Sequence, residues 1–288
     1  MNLLWLPLTL LSALFLATSD ALTKKALARH NDYLVMWLRL LPTVALALPL
    51  FFGERPYLSR DFITCVGLAL PLEAVAFVLY IKALKLSPLN LTLPFLSLTP
   101  VFLLVVPAIV LKERISFIGG AGVLLVAAGS YLLNLQKGRH GVLAPLKAIR
   151  EEKGSLFMIA VAVIYTFTST LGKRAIALSS PLTFTEIYLP ALALLITPLA
   201  LYKGRRELSA ITKDGAIRAA ALPALCYALQ AISHSYAIDI ANVAYMIAVK
   251  RTSLLFGVLY GRVLFREEGR LFSTILMLIG VFLIVIGG

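Results

Sequence analysis

The chain has 288 residues, 60% of them hydrophobic and 14% charged, with a mean hydropathy of +0.92. A water-soluble domain carries about a quarter charged residues, so this composition excludes a soluble enzyme or binding module, which would expose large apolar patches. The formal charge of +13 does not point to nucleic acid, because the basic residues sit in short breaks between apolar runs, where membrane orientation and lipid headgroups account for them.

A helix needs about 20 apolar residues to cross about 30 Å of hydrocarbon. Ten segments qualify in chain order: roughly 3–22, 33–52, 62–81, 90–111, 116–135, 155–174, 182–201, 217–236, 241–264 and 271–287. The breaks are polar or basic, among them "ARHND", "GERPYLSRD", "QKGRHG" and "YKGRRELSAITKDG". The alternating ten-residue segments of a β-barrel are missing from the sequence. The first segment has no basic n-region and no A-x-A site, so it reads as a retained helix rather than a signal peptide. Pro42, Pro71, Pro94, Pro100, Pro107, Pro190 and Pro223 predict kinks, which neighbouring helices can tolerate by satisfying the freed carbonyls. Such kinks near the midplane often line a pathway. Cys65 and Cys226 fall in or beside apolar runs and read as reduced packing residues. Zinc, haem and redox spacings are missing from the sequence, so the expected cofactor set is none.

The chain is written twice. "LTKKALA" (22–28) returns as "LGKRAIA" (171–177), "VLKERI" (110–115) as "LFREEG" (264–269), and "GVLLVAAG" (122–129) as "GVFLIVIG" (280–287). The shifts of 149, 154 and 158 grow slowly while the order of blocks is kept. Five spans per copy is an odd number, so the copies are predicted to cross the bilayer in opposite senses. That arrangement around a midplane site is a transporter signature. The expected division is 1–137 for the first repeat, 138–153 for a connecting loop and 154–288 for the second.

These blocks carry a family resemblance. "LKERISFIGGAGVLLVAAG", "KRTSLLFGVLYGRVLFREE" and the final "LMLIGVFLIVIGG" resemble the EamA repeats of the drug/metabolite transporter superfamily. "LPFLSLTPVF" (93–102) is similar to the Pro-containing fourth helix of that repeat, and Arg39 in "WLRLL" matches the Arg of its second helix. The chain departs in its first helix, where "ATSD" (17–20) replaces the family's Trp-Gly pair. The resemblance implies an all-α integral membrane protein of ten helices, two inverted five-helix repeats around a central cavity. The first, third, fourth, sixth, eighth and ninth helices would surround the cavity, with the fifth and tenth outside. It also implies translocation without an enzymatic step.

The polar residues inside the spans are the candidate site. Lys250 and Arg251 lie in mid-run, where each cation costs about 2.5–3.5 kcal/mol on insertion scales. They either snorkel to an interface, or at least one faces the cavity and binds an anionic substrate group. On one continuous helix they would point about 100° apart. Asp20 either forms an i,i+4 ion pair with Lys24 or serves as a proton or substrate-amine site. Glu73, after Pro71, either faces the cavity or neutralises Arg39, Lys250 or Arg251. Glu186, near its helix start, reads as interfacial. Tyr80 and His234 are equivalent at the shift of 154 and lie near helix ends; they read as interfacial anchors, with a gate as the alternative. The equivalent pairs Lys24–Lys25 and Lys173–Arg174 either snorkel or act as gates at opposite faces. Glu113, Glu267 and Glu268, at the turns after the fourth and ninth spans, are expected to cap or position the next helix.

"GKR" (172–174) lacks the glycines of a P-loop, and His30, His140 and His234 form no catalytic constellation in the sequence. The expectation is therefore a secondary transporter, an exporter of a small polar metabolite such as an amino acid or organic anion, and not an enzyme. A channel or exchanger and a lipid-modifying enzyme are the alternatives. The partners are a small-molecule substrate and the bilayer; a monomer is one option. Loops after odd-numbered spans hold 17 basic residues and those after even-numbered spans six. In the plasma (inner) membrane, that bias puts both termini outside the cytoplasm.

Overall fold

A computed structural model of the protein describes residues 3–27, 30–52, 56–86, 93–134, 153–208, 215–256 and 271–288. Among these residues the secondary structure is helical, without strands. Most of the loop expected at 138–153 lies outside them, as do Arg262, Glu267, Glu268 and the Lys24 side chain.

Five spans are single long helices: the first (Trp5–Leu27), third (Arg60–Leu86), sixth (Lys153–Ala177), seventh (Pro181–Gly204) and eighth (Ala216–Ile240). The fifth (Phe117–Asn134) and tenth (Leu271–Gly287) are shorter. The other three are interrupted, which the apolar runs alone do not reveal. The second runs as Asp32–Leu40, a 3-10 stretch Leu41–Ala47 and Pro49–Phe52. Pro42 has no N–H to continue the α ladder, and Thr43 donates its hydroxyl to the Leu40 carbonyl at 2.6 Å. The fourth runs as a 3-10 turn Leu93–Ser97, then Leu98–Phe102 and Val106–Val110. The ninth is α-helical only over Val243–Lys250 and resumes over 253–256.

The two copies pack reciprocally. The first helix lies along the eighth and the sixth lies along the third, so the opening helix of each copy embraces the third helix of the other. Ser12 donates to the Gln230 carbonyl at 3.2 Å and Ser19 to the Pro223 carbonyl at 2.7 Å. Seven residues forward on one helix is seven back on its partner, so the two are antiparallel. The fifth and tenth helices close against each other through glycines. A Cβ on Gly122 would sit 2.6 Å from the Gly280 oxygen, and one on Gly280 would sit 2.7 Å from the Gly122 oxygen. Further along, Gly129 abuts Ser273 and Met277 while Gly287 abuts Gly119, again an antiparallel register. Small residues allow this approach where lipid supplies no hydrophobic drive between helices. Equivalent helices that run antiparallel and face each other residue for residue describe a pseudo-two-fold, self-complementary contact. The repeats are therefore inverted.

Phe117, Phe272, Phe282 and Ile286 are exposed on the outer faces of the fifth and tenth helices. An apolar surface of this kind suits lipid rather than water.

Candidate functional site

The break in the ninth span sets the site. Asn242 is extended and precedes Val243, whose N–H donates to Glu113 Oε2 at 3.0 Å. From Val243 to Val249 every side chain is buried. The ladder then tightens: the Arg251 N–H is shared between the Ile247 and Ala248 carbonyls at 3.3 and 3.0 Å, and the Thr252 N–H reaches Val249 at 2.9 Å. These i→i−3 bonds end the α-helix at Lys250. The expected continuous ninth helix is thus corrected, and with it the divergence of its two cations. Lys250 and Arg251 both line one central cavity. Discontinuous helices of this kind form many transporter sites.

That cavity has a volume of about 310 Å³, at the small end of the range for ligand sites. Its walls come from the first, third, fourth, sixth, eighth and ninth spans and also from the second and seventh, which extends the expected set of six. Among the described residues, the fifth and tenth contribute nothing to its lining.

Arg39 meets Asp20 at 2.8 Å, with its guanidinium 4.6 Å from the Tyr227 ring centroid. The Asp20 carboxylate thus reaches across to the second span, where Arg39 is almost fully buried; the expected partner Lys24 has its side chain outside the described residues. Glu73 and Thr168 of the sixth helix both line the cavity. Lys250 Nζ lies 3.1 Å from His234 Nδ1. Nε of Arg251 is buried and has no hydrogen-bond partner among the described residues. Three cations therefore face two carboxylates, and one of the carboxylates is engaged by Arg39.

Tyr80 and His234 both line the cavity. Their helices continue past them to Leu86 and Ile240. Glu186 is buried within the protein, at 7% exposure. Sequence reasoning missed Tyr165, Thr168, Tyr188 and Tyr227, which also line the cavity. Tyr227 had a signal: the shift that pairs Tyr80 with His234 also pairs Glu73 with Tyr227.

A second cluster ties the copies together at the N-terminus of the ninth helix. Lys173 meets Glu113 at 2.6 Å and also donates to the Ala241 carbonyl. Asn242 Nδ2 donates to the Arg114 carbonyl at 3.1 Å, and the Ser116 N–H donates to the Tyr245 hydroxyl at 3.0 Å. Glu113 was expected to position the next helix, the fifth; it holds the ninth helix and the end of the sixth instead. Lys173 does not snorkel, because its ammonium is bound within the protein. Lys25 and Arg174, which are repeat-equivalent, are both exposed.

No curated protein matches the chain. A solved crystal structure superposes with a TM-score of 0.71 at 16% sequence identity, covering 97% of each chain, a likeness of fold. The profile of the EamA-like transporter family matches twice, over residues 3–135 and 152–286. One match falls on each of the five-helix copies that pack here as inverted repeats, and together they span nearly the whole sequence. The chain is a member of the EamA-like transporter family, within the drug/metabolite transporter superfamily.

Proposed function

We propose that the protein is a secondary transporter that moves a small polar metabolite bearing a carboxylate, phosphate or similar anionic group across the plasma membrane by alternating access. Organic anions and amino acids are the substrate classes that fit, and export is the direction. The observation that carries this reading is the pair Lys250 and Arg251, placed together at a helix break on the cavity wall. Buried cations are costly unless something offsets them. Here a carboxylate meets Arg39, whereas Lys250 meets another base.

The repeats are assigned to 1–137 and 154–288, supported by the two family matches. Both termini are placed outside the cytoplasm, supported by the bias of basic residues toward loops after odd-numbered spans. Lys24, Lys25, Lys173 and Arg174 are assigned to the two gates, supported by their recurrence at equivalent helix ends in inverted copies.

The test is a thermal-shift screen of the purified protein against amino acids, nucleosides and sugar phosphates, since a ligand that binds the folded state raises its apparent stability. Lys250→Ala and Arg251→Ala should abolish the shift given by an anionic ligand while the protein remains monodisperse. Variants that stay folded and keep the full shift would refute the assignment. Saturable counterflow in proteoliposomes distinguishes a transporter from a channel.

A further inference from the structure

Lys250 and His234 form a contact that is unusual inside a membrane protein. Both are bases, they come from different helices, and they lie within hydrogen-bond distance on the wall of the cavity. A hydrogen bond between two nitrogens needs one donor and one acceptor. The ammonium of Lys250 has donors only, so it requires the lone pair on Nδ1 of His234; a protonated imidazole would in turn require a neutral amine. Whichever nitrogen donates, the contact accommodates at most one cationic member, because two donors cannot satisfy each other. The pair therefore has a vacant proton site while the contact lasts.

We propose that His234 is the proton-coupling residue of this transporter, and that one proton travels with each anionic substrate. The inference rests on the anion reading above. When a carboxylate or phosphate oxygen engages Lys250 and Arg251, it takes the Lys250 N–H that pointed at the imidazole. Nδ1 of His234 is then released and binds a proton from cavity water, and the substrate's negative charge compensates the added positive charge. On the opposite face the steps reverse: the substrate leaves, His234 returns its proton to water, and Lys250 resumes the contact. The cycle is balanced, with one anion and one proton taken up on one side and both released on the other. A metabolite accumulated in the cell would leave with a proton only while its own outward gradient exceeds the inward proton gradient that opposes this coupling.

The surroundings bear on this assignment. Arg251 adjoins the pair on the same span and offers a second cation to the anion. Asp20 and Arg39 are bonded to each other, and Glu73 lines the same cavity. Tyr80 and Tyr227 add phenols, as do Tyr165 and Tyr188 from the sixth and seventh helices; phenols carry no charge at neutral pH. Glu73 is thus the competing candidate for a transported proton.

The experiment uses the full chain in proteoliposomes that enclose a pH-sensitive dye, with labelled glutamate, succinate and glucose 6-phosphate as probes. Wild type should take up at least one of them with luminal acidification equivalent to one proton per anion beyond a protein-free control. The initial rate should rise as the outside is made more acidic. His234→Gln should lower the proton-to-anion ratio from one toward zero. A wild-type ratio of zero overturns the proposal without recourse to any variant. A ratio that stays at one in His234→Gln, or falls in Glu73→Gln and not in His234→Gln, also overturns it, the latter by moving the proton to Glu73. If wild type moves none of the three probes, or if Lys250→Ala and Arg251→Ala transport as wild type does, the anion reading itself fails and takes this inference with it.

Discussion

At the seam between the fifth and tenth helices, one pair of equivalent positions holds the same residue: Gly122 faces Gly280 across the pseudo-two-fold axis. In the cavity, equivalent positions hold different ones. At a shift of 154, Lys250 corresponds to Leu96, His234 to Tyr80 and Tyr227 to Glu73; at 149, Asp20 corresponds to Ser169. All eight of these residues line the same space. A self-complementary contact demands the same surface on both sides, so at this crossing the copies have little room to diverge. A small metabolite has no two-fold symmetry, and a cavity that binds it gains from placing different chemical groups at equivalent positions of its two halves. The scaffold and the substrate chemistry are thus written at separable positions of one repeat.

The contrast can be broken first at the conserved contacts. Glu113 holds both Lys173 and the Val243 N–H, and its sequence counterpart in the second copy is Glu267. Glu113→Ala removes one partner of a nearly buried ion pair and should cost about 3–5 kcal/mol, read as a lowered unfolding temperature in detergent. Glu113→Gln keeps an oxygen for Val243 and should lose less. Next in size is Gly280→Ala, whose methyl would press on the backbone of Gly122 and Val126 and should destabilise by about 1–3 kcal/mol. Gly67→Ala is the control: nothing lies within 4 Å of its would-be Cβ, and it should leave the unfolding temperature unchanged or slightly raised.

On the cavity side, the expected loss is in binding rather than folding. Lys250→Ala should weaken an anionic ligand at least tenfold, about 1.4 kcal/mol, measured by titration of the detergent-solubilised protein. The smallest effect is expected from Asp20→Asn. The Asp20 side chain is 54% exposed, and exposed ion pairs contribute about 1 kcal/mol or less, while Arg39 retains its Tyr227 face. An Asp20→Asn variant that unfolds as readily as Glu113→Ala would erase the distinction between the conserved clamp and the divergent cavity.

Length and hydropathy were enough to count ten spans, and the spaced repetition of three blocks was enough to invert one copy on the other. Both are properties of the chain read along itself: a bilayer imposes a fixed length on each helix, and an odd number of crossings reverses direction. The family resemblance was legible for the same reason, since its motifs are contiguous. Side-chain partners across helices were not legible. The spacing of Asp20 within its own span carries no sign that it meets Arg39, because the packing of the first and second spans brings that guanidinium to it. His234 and Tyr80 lie near the ends of their apolar runs, but their helices extend further and turn them inward. Nor did the apolar run 241–264 show that its helix ends at Lys250, because hydropathy reports burial and not hydrogen-bond register. Only the tertiary structure brings Lys250 to His234, since the contact depends on how the eighth and ninth spans pack, and sequence spacing within either span carries no information about that.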